Sequence, residues 1–113
     1  MSVSAATHFG SGLYQSSAVN LTISRGNGKV RSINMTTAGK SVSIEALTNW
    51  RYKAGDELFV IYNIGANAFA IKDSAGTTLL ASLAPGDVAT VDLYSISPTT
   101  HLGSFGVEVR TPV

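Results

Sequence analysis

Residues 58–94 decide the fold class of this chain and read LFVIYNIGANAFAIKDSAGTTLLASLAPGDVATVDLY. Four short apolar runs alternate there with three turn clusters, at residues 65–67, 73–76 and 84–87. Tight turns that leave almost no loop between apolar runs are typical of antiparallel strands joined in sequence. The stretch therefore predicts an antiparallel meander, and it leaves little room for a catalytic loop.

Strand signals continue on both sides of this stretch. Alternating apolar residues at 19–23 place Val19, Leu21 and Ile23 on one face of a strand. The Asn-Gly pair in segment 25–29 predicts a hairpin with a type I′ turn, from which residues 30–35 return. Residues 58–62 are apolar on both faces, which predicts a central strand covered on both sides. A last alternating strand follows at 105–109.

These patterns predict an all-β protein of about eight short strands, an antiparallel β-sandwich or small barrel with an extended N-terminal arm. Residues 1–18 are rich in Ser, Ala and Gly and show no periodicity, which favours an arm that orders on contact. A short first strand folded onto the domain is the alternative there. Residues 19–113 form the predicted single domain. Its predicted core consists of Val19, Leu21, Ile23, Val42, Ile44, Phe59, Ile61, Phe69, Ile71, Leu80, Val91, Leu93, Phe105 and Val107.

The composition favours a protein that docks on a partner or forms an oligomer. Only 13% of the 113 residues are charged, against about 25% in ordinary soluble domains. Such a surface is poorly protected against association, although a stable β-domain with a hydroxyl-rich surface is the alternative. Cysteine is absent, which excludes disulfides. No secretory leader and no apolar run of about 20 residues is evident, so we expect synthesis in a cytoplasm and no membrane partner.

Charged residues are segregated along the chain. Six basic residues and one acidic residue lie between Arg25 and Lys53, whereas six acidic and two basic residues follow from Ala54 onward. A basic half could steer the protein towards an acidic partner or orient subunits head to tail. The alternative is that the two halves interleave in space and that these charges only protect strand edges.

No motif predicts an enzyme, a cofactor or a metal. Residues 38–41 contain a Gly-Lys-Ser triplet, but a phosphate-binding loop would need glycine where Asn34 stands, so the triplet is interpreted as a loop entering a strand. His8 and His101 have no second histidine at metal-ligand spacing. The carboxylates are spread singly apart from Asp56-Glu57, and those in turns are explained by backbone capping. Catalytic, cofactor-binding and metal-binding residues are therefore predicted to be absent.

The stretch 58–94 also resembles β-modules in virion proteins of tailed bacteriophages. The resemblance rests on the residues Asn63, Gly65, Ala66, Asn67, Ala68, Ile71, Asp73, Gly76, Thr77, Leu83, Pro85 and Gly86. Such modules occur in capsid decoration (cement) proteins and in fibre or tail proteins. The resemblance implies a non-enzymatic viral structural protein, made in the host cytoplasm and located in the virion, that binds and stabilises the assembled capsid.

The expected partners are further copies of the chain, as a dimer or trimer, and the major capsid protein or another virion protein; a nucleic-acid partner is not expected. The predicted contact residues lie in the arm and in the basic segment: His8, Phe9, Leu13, Tyr14, Arg25, Lys29, Arg31, Arg51 and Lys53. The alternative function is a fibre or tail receptor-binding module that recognises surface glycans. Trp50, Tyr52, Tyr62 and Tyr94 would then supply the stacking platform.

Overall fold

The computed structural model describes residues 13–46, 53–96 and 103–111, and within these ranges the chain is built from strands and contains no α-helix. One 3-10 turn, Arg25–Asn27, is present. The all-β prediction is thereby confirmed. The strands are β1 (Leu13–Ser17), β2 (Leu21–Ile23), β3 (Val30–Met35), β4 (Ser41–Ile44), β5 (Glu57–Asn63), β6 (Phe69–Lys72), β7 (Leu79–Leu83), β8 (Val88–Ile96) and β9 (Gly103–Arg110).

These strands form two mixed sheets, ordered β1-β3-β5-β8-β9 and β2-β4-β6-β7. The first six strands alternate between the sheets, so that β1, β3 and β5 run parallel in one and β2, β4 and β6 run parallel in the other. We call the successive pairs β1–β2, β3–β4 and β5–β6 the parallel coils. The remaining pairings, β5 with β8, β6 with β7 and β8 with β9, are antiparallel.

The predicted antiparallel meander over residues 58–94 was wrong. All four predicted strands exist, and β5 is the central strand of its sheet, but its antiparallel neighbour is β8 and not β6. The turn after β5 carries the chain to the other sheet, where β6 and β7 form a hairpin. The same Gly and Asn residues serve a corner between sheets as well as a hairpin turn, because both need tight backbone geometry. Both sheets have open strand orders, so the described strands do not close into a barrel.

The predicted hairpin at residues 25–29 was also wrong, because β2 and β3 lie in different sheets. The 3-10 turn stands in its place, capped by Ser24, whose hydroxyl oxygen accepts a hydrogen bond from the N–H of Gly26 at 3.2 Å. Gly28 has φ 112° with ψ 162°, which is not a type I′ conformation. Its positive φ nevertheless favours glycine, since a Cβ there would be strained.

The N-terminal arm as predicted was too long. Leu13–Ser17 form β1, which pairs in parallel with β3, so the alternative of a short first strand holds for these residues. The prediction for residues 1–12 lies outside the described residues. The domain therefore begins no later than Leu13.

One hydrophobic core lies between the sheets and contains most of the predicted residues. Leu21, Leu80, Phe105 and Val107 are only partly buried, and Val19 is 63% exposed, so its assignment to the core was wrong. The buried hydrophobic residues that were not predicted are Ile33, Met35, Leu58, Leu83, Val88 and Ala89. Ile33 and Met35 were missed because Arg31 lies on the same face of β3, and a charged residue in the alternating pattern indicates a solvent-exposed face.

Asn63 holds the corner at which the third coil crosses between the sheets. Its side chain is buried, and its Nδ2 donates to the carbonyl oxygens of Asn67 and Leu83, both at 2.9 Å. Its Oδ1 accepts from the N–H of Gly65 at 3.1 Å. Asn67 Nδ2 in turn donates to the carbonyl of Met35 at 2.9 Å, which joins this corner to the preceding coil.

Gly65 is required at this corner by space and not by a positive φ. A Cβ on Gly65 would lie 2.4 Å from Oδ1 and 3.1 Å from Cα of Asn34. The second distance is to backbone, so the clash cannot be relieved by rotating a side chain alone.

Gly65→Ala is therefore expected to lower the free energy of unfolding by about 1–3 kcal/mol, in the range of overpacked sites. Gly106→Ala is the matched control, because a Cβ at Gly106 has no atom within 4 Å and its φ is not positive. Urea unfolding followed by tryptophan fluorescence compares the two. Equal stabilities for both variants would contradict the close approach of Gly65 to Asn34.

Candidate interaction surface

The structure separates the predicted contact residues into accessible and inaccessible groups. Tyr14 is 57% exposed on β1, and Lys53 is exposed at the start of the loop that leads into β5. Leu13 and Arg25 are half-buried. His8, Phe9 and Arg51 lie outside the described residues. Lys29 forms an ion pair with Glu57, and this contact joins the basic and acidic halves of the sequence.

Arg31 must be removed from the predicted contact set, because it is fully buried. Its Nη1 donates to the carbonyl of Ser24 and its Nη2 to Oε1 of Gln15, both at 2.9 Å. Its guanidinium carbon also lies 6.0 Å from the centre of the Phe59 ring, which is within cation–π range. Arg31 thus connects β3 to its neighbour β1 and to Ser24, the residue that follows β2 of the other sheet.

No carboxylate forms a direct ion pair with Arg31 in the described part of the chain. Burial lowers the pKa of the guanidinium, and the nearby Glu45 carboxylate acts in the opposite direction. Arginine still remains protonated, so a full positive charge sits in the core. Glu45 Oε1 itself accepts from the Ser24 hydroxyl at 3.0 Å and from the Arg25 N–H at 3.1 Å. Because the Ser24 carbonyl also accepts from Arg31, Ser24 links the two charged residues.

One side of strand β1 has backbone groups that pair with no other strand in the described part of the chain. Among the described strands it is the terminal one of the five-stranded sheet. The Ser17 carbonyl accepts from the Thr36 N–H at 2.8 Å and so points towards β3. Backbone direction alternates along a strand, so the N–H and C=O groups of Tyr14 and Ser16 point away from β3, towards the open edge.

This edge carries no charged residue. Residues 1–24 contain no Lys, Arg, Asp or Glu, and the first charged residue is Arg25. Natural edge strands are commonly protected by charges, and β9 at the opposite edge carries Glu108 and Arg110. β7 is also uncharged, but it contacts β9 of the other sheet, and β2 has only three residues. Among the described strands, β1 is therefore the uncharged edge of more than three residues that contacts no strand of the other sheet in the way β7 does.

No arrangement in the described residues resembles a catalytic or metal site. The described ranges contain no group of three or more His, Asp or Glu residues that could hold a metal ion. An open depression of about 310 Å³ is lined by Gly39, Lys40, Ala68, Phe69, Ala70 and Ser82, with Lys40 as its one ionisable group. Because β4 begins at Ser41, the Gly-Lys-Ser triplet is a loop that enters a strand, as predicted. No helix in the described ranges is long and apolar enough to span a membrane.

Asp73, one of the residues that carry the phage resemblance, caps the turn between β6 and β7. Its Oδ1 accepts from the N–H groups of Thr78 at 3.2 Å and of Thr77 at 3.1 Å. The hydrogen bond from the Thr78 backbone is the main cause that lowers the pKa of this carboxyl below its ordinary value. The aspartate therefore has a structural role, as its position in a turn predicted.

Comparison of the chain with protein-family models, with curated proteins and with solved structures gave no match. The assignment of function consequently rests on the chain's own residues and on the resemblance described above.

Arg31→Lys is expected to lower the free energy of unfolding by about 1–3 kcal/mol, because a single ammonium cannot reach both acceptors and leaves one of them unpaired. Arg110→Lys makes the same exchange at an exposed position and should be nearly neutral. Urea denaturation of both variants measures the difference. Identical midpoints would show that the paired contacts of Arg31 add no stability.

The ionisation of Asp73 is expected to make the free energy of unfolding depend on pH in the acidic range. Since its folded pKa lies below the unfolded value of about 3.9, the charged form stabilises the fold above that value, and the contribution disappears as the pH falls through the folded pKa. The stability difference between wild type and Asp73→Asn is therefore expected to shrink from about pH 5 downwards. Thermal unfolding over a pH series, with a carbon-13 NMR titration of the carboxyl, tests this. A pH-independent difference would contradict it.

Proposed function

We propose that this protein is a non-enzymatic structural component of a tailed-bacteriophage virion, a decoration module that binds and stabilises the assembled capsid. The observation that carries the proposal is the uncharged end of the molecule. The first 24 residues have no Lys, Arg, Asp or Glu, and they include β1, which bears the exposed Tyr14 and whose outer edge pairs with no other described strand. An end of this kind gains by being covered by another protein surface.

The construction of the domain suits a clamp. Buried residues from both sheets form a single core, and the corner around Asn63 locks the coils to one another through side-chain hydrogen bonds. A rigid module that binds the assembled lattice and not its loose subunits stabilises that lattice by mass action. The residues that carry the phage resemblance fit this role, since Asn63, Gly65 and Asn67 belong to the corner.

The proposed contact region combines segment 1–12, which includes His8 and Phe9, with the basic residues Arg25, Lys29 and Lys53. The proposed partner is the major capsid protein, through an acidic surface. Contacts between exposed charges weaken as salt screens them, so docking should be sensitive to ionic strength. The protein would be made in the host cytoplasm and end in the virion, where it acts without a cofactor.

Glycan recognition by a fibre or tail module is the second candidate. Tyr94 is 75% exposed on β8, and an exposed tyrosine ring can stack on a sugar. Of the other predicted platform residues, Tyr62 is half-buried, whereas Trp50 and Tyr52 lie outside the described residues. Glycan-array binding that is lost in Tyr94→Ala would favour this candidate.

Co-sedimentation with empty phage capsids tests the leading proposal. Deletion of residues 2–12 leaves β1 intact and is expected to weaken capsid binding by about tenfold or more, equivalent to about 1.4 kcal/mol. Lys53→Glu should weaken binding and reduce its salt dependence. Lys72→Glu is the matched control, with the same charge change on β6, outside the proposed contact region.

Three results would decide against this assignment. Unchanged capsid binding after the deletion would exclude segment 1–12 as a contact. Equal effects of Lys53→Glu and Lys72→Glu would exclude a specific basic contact. Absence of capsid binding together with glycan binding would transfer the assignment to the fibre or tail module.

A further inference from the structure

We propose that the open depression beside Lys40 is a binding site for a small carboxylic acid with an apolar body, held as its monoanion. The depression has a volume of about 310 Å³ and is lined by Gly39, Lys40, Ala68, Phe69, Ala70 and Ser82. This inference goes beyond the capsid assignment and does not depend on it, because none of the lining residues belongs to the proposed capsid contacts.

The outer face of β6 and β7 forms part of the depression, and small side chains leave it open. Phe69 and Leu83 are paired across these two strands and are buried in the core, so the neighbouring pair, Ala70 and Ser82, lies on the opposite face. On the other side of β6, Ala70 is paired with Ser41 of β4. Because alanine and serine have some of the smallest side chains, three adjoining strands leave space at this level of the sheet.

The loop before β4 brings a cation to this space. Lys40 is the last residue of the loop, and its carbonyl oxygen accepts a hydrogen bond from the N–H of Ala70 at 3.3 Å. This backbone contact holds the loop beside β6, so that Lys40 lines the depression together with Ala70. Gly39 has φ 80°, and a Cβ built on it would have no atom within 4 Å, which shows that the space next to the loop is open.

The charge of Lys40 selects an anion as the ligand. The residue is half-buried, and no carboxylate forms an ion pair with it in the described ranges, whereas Lys29 is paired with Glu57. An ammonium that is partly removed from water gains more from an opposite charge than one in open solvent does, because the local dielectric constant is lower. A negatively charged group bound in the depression would supply that charge.

The rest of the lining selects a monoanion with an apolar body. Lys40 is the one ionisable group around the depression, so a single negative charge balances it, whereas phosphate recognition favours arginine forks or several backbone donors. Ala68, Phe69 and Ala70 supply apolar surface, and the Ser82 hydroxyl can donate a hydrogen bond to a carboxylate oxygen. Small-molecule sites typically combine an apolar concavity of about 300–1,000 Å³ with a few polar groups. A short aliphatic or aromatic monocarboxylic acid therefore fits this site best.

Titration of the nitrogen-15-labelled protein with benzoate, followed by amide NMR, tests the proposal. We expect saturable shifts of the Ala70 and Ser82 amide signals, and weaker binding of benzamide, which has the same ring without the charge. Lys40→Met should weaken benzoate binding by about tenfold or more, because it removes the one cation of the site. Lys72→Met is the matched control and should leave binding unchanged, since it removes the same charge from β6 outside the depression.

Ala70→Leu provides an independent test, because the larger side chain would fill the depression and leave Lys40 in place. This variant is expected to lose benzoate binding while its circular-dichroism spectrum stays unchanged. If Ala70→Leu does not fold, the comparison of Lys40→Met with Lys72→Met decides alone.

Four results would overturn the proposal. The first is the absence of saturable shifts at the depression, and the second is an equal effect of Lys40→Met and Lys72→Met. The third is benzamide binding as tight as that of benzoate, which would make the charge irrelevant. The fourth is inorganic phosphate binding as tight as that of benzoate, which would make the apolar lining irrelevant. Because these titrations contain no capsids, they succeed or fail separately from the capsid-binding test.

Discussion

The side-chain amide of Asn63 is the interaction on which the arrangement of the two sheets depends. A chain that passes repeatedly from one sheet to the other must leave backbone groups unpaired at each corner, and a buried unpaired group is costly. At the third corner Asn63 supplies a donor to two carbonyls and an acceptor to one N–H. The backbone of the same residue bonds to residues 86 and 87, which brings the start of β8 to the end of β5. Asn63 therefore joins the corner both to the end of β7 and to the start of β8, the two strands that pair antiparallel with β6 and β5.

Local sequence patterns predicted the strands well and their pairing poorly. Apolar runs bounded by Gly, Asn and Asp correctly indicated strands at 58–62, 68–72, 77–82 and 88–94, because each run reflects burial of its own residues. Which strands become neighbours depends on where a tight turn sends the chain. The Asn27-Gly28 and Gly65-Asn67 signals are compatible both with a hairpin and with a corner between sheets. Parallel pairing between strands far apart in sequence cannot be predicted from local sequence patterns, because it depends on no single turn.

The candidate surface was predictable in composition but not in geometry. The Ser, Ala and Gly content of the first residues predicted an arm that orders on contact, and the structure places the exposed Tyr14 on β1. The prediction that Arg31 is an accessible contact residue was wrong. An arginine near other basic residues in the sequence indicates a solvent-exposed basic patch. The burial of Arg31 depends on acceptors from residues 15 and 24, which only the folded chain brings to it. The position of β1 at the edge of its described sheet likewise became visible only once the strand order was known.

The parallel coils have a consequence for the order in which the molecule can be made. Pairings between neighbours in sequence occur in the described strands only near the C-terminal end, as the β6–β7 and β8–β9 hairpins. Local pairings close short loops and form readily, whereas β1–β3 and β3–β5 must wait for distant partners. The ribosome, however, releases the N-terminal strands first. Newly synthesised β1 therefore stays unpaired until its sheet is complete, and its lack of charge leaves it vulnerable to aggregation during synthesis.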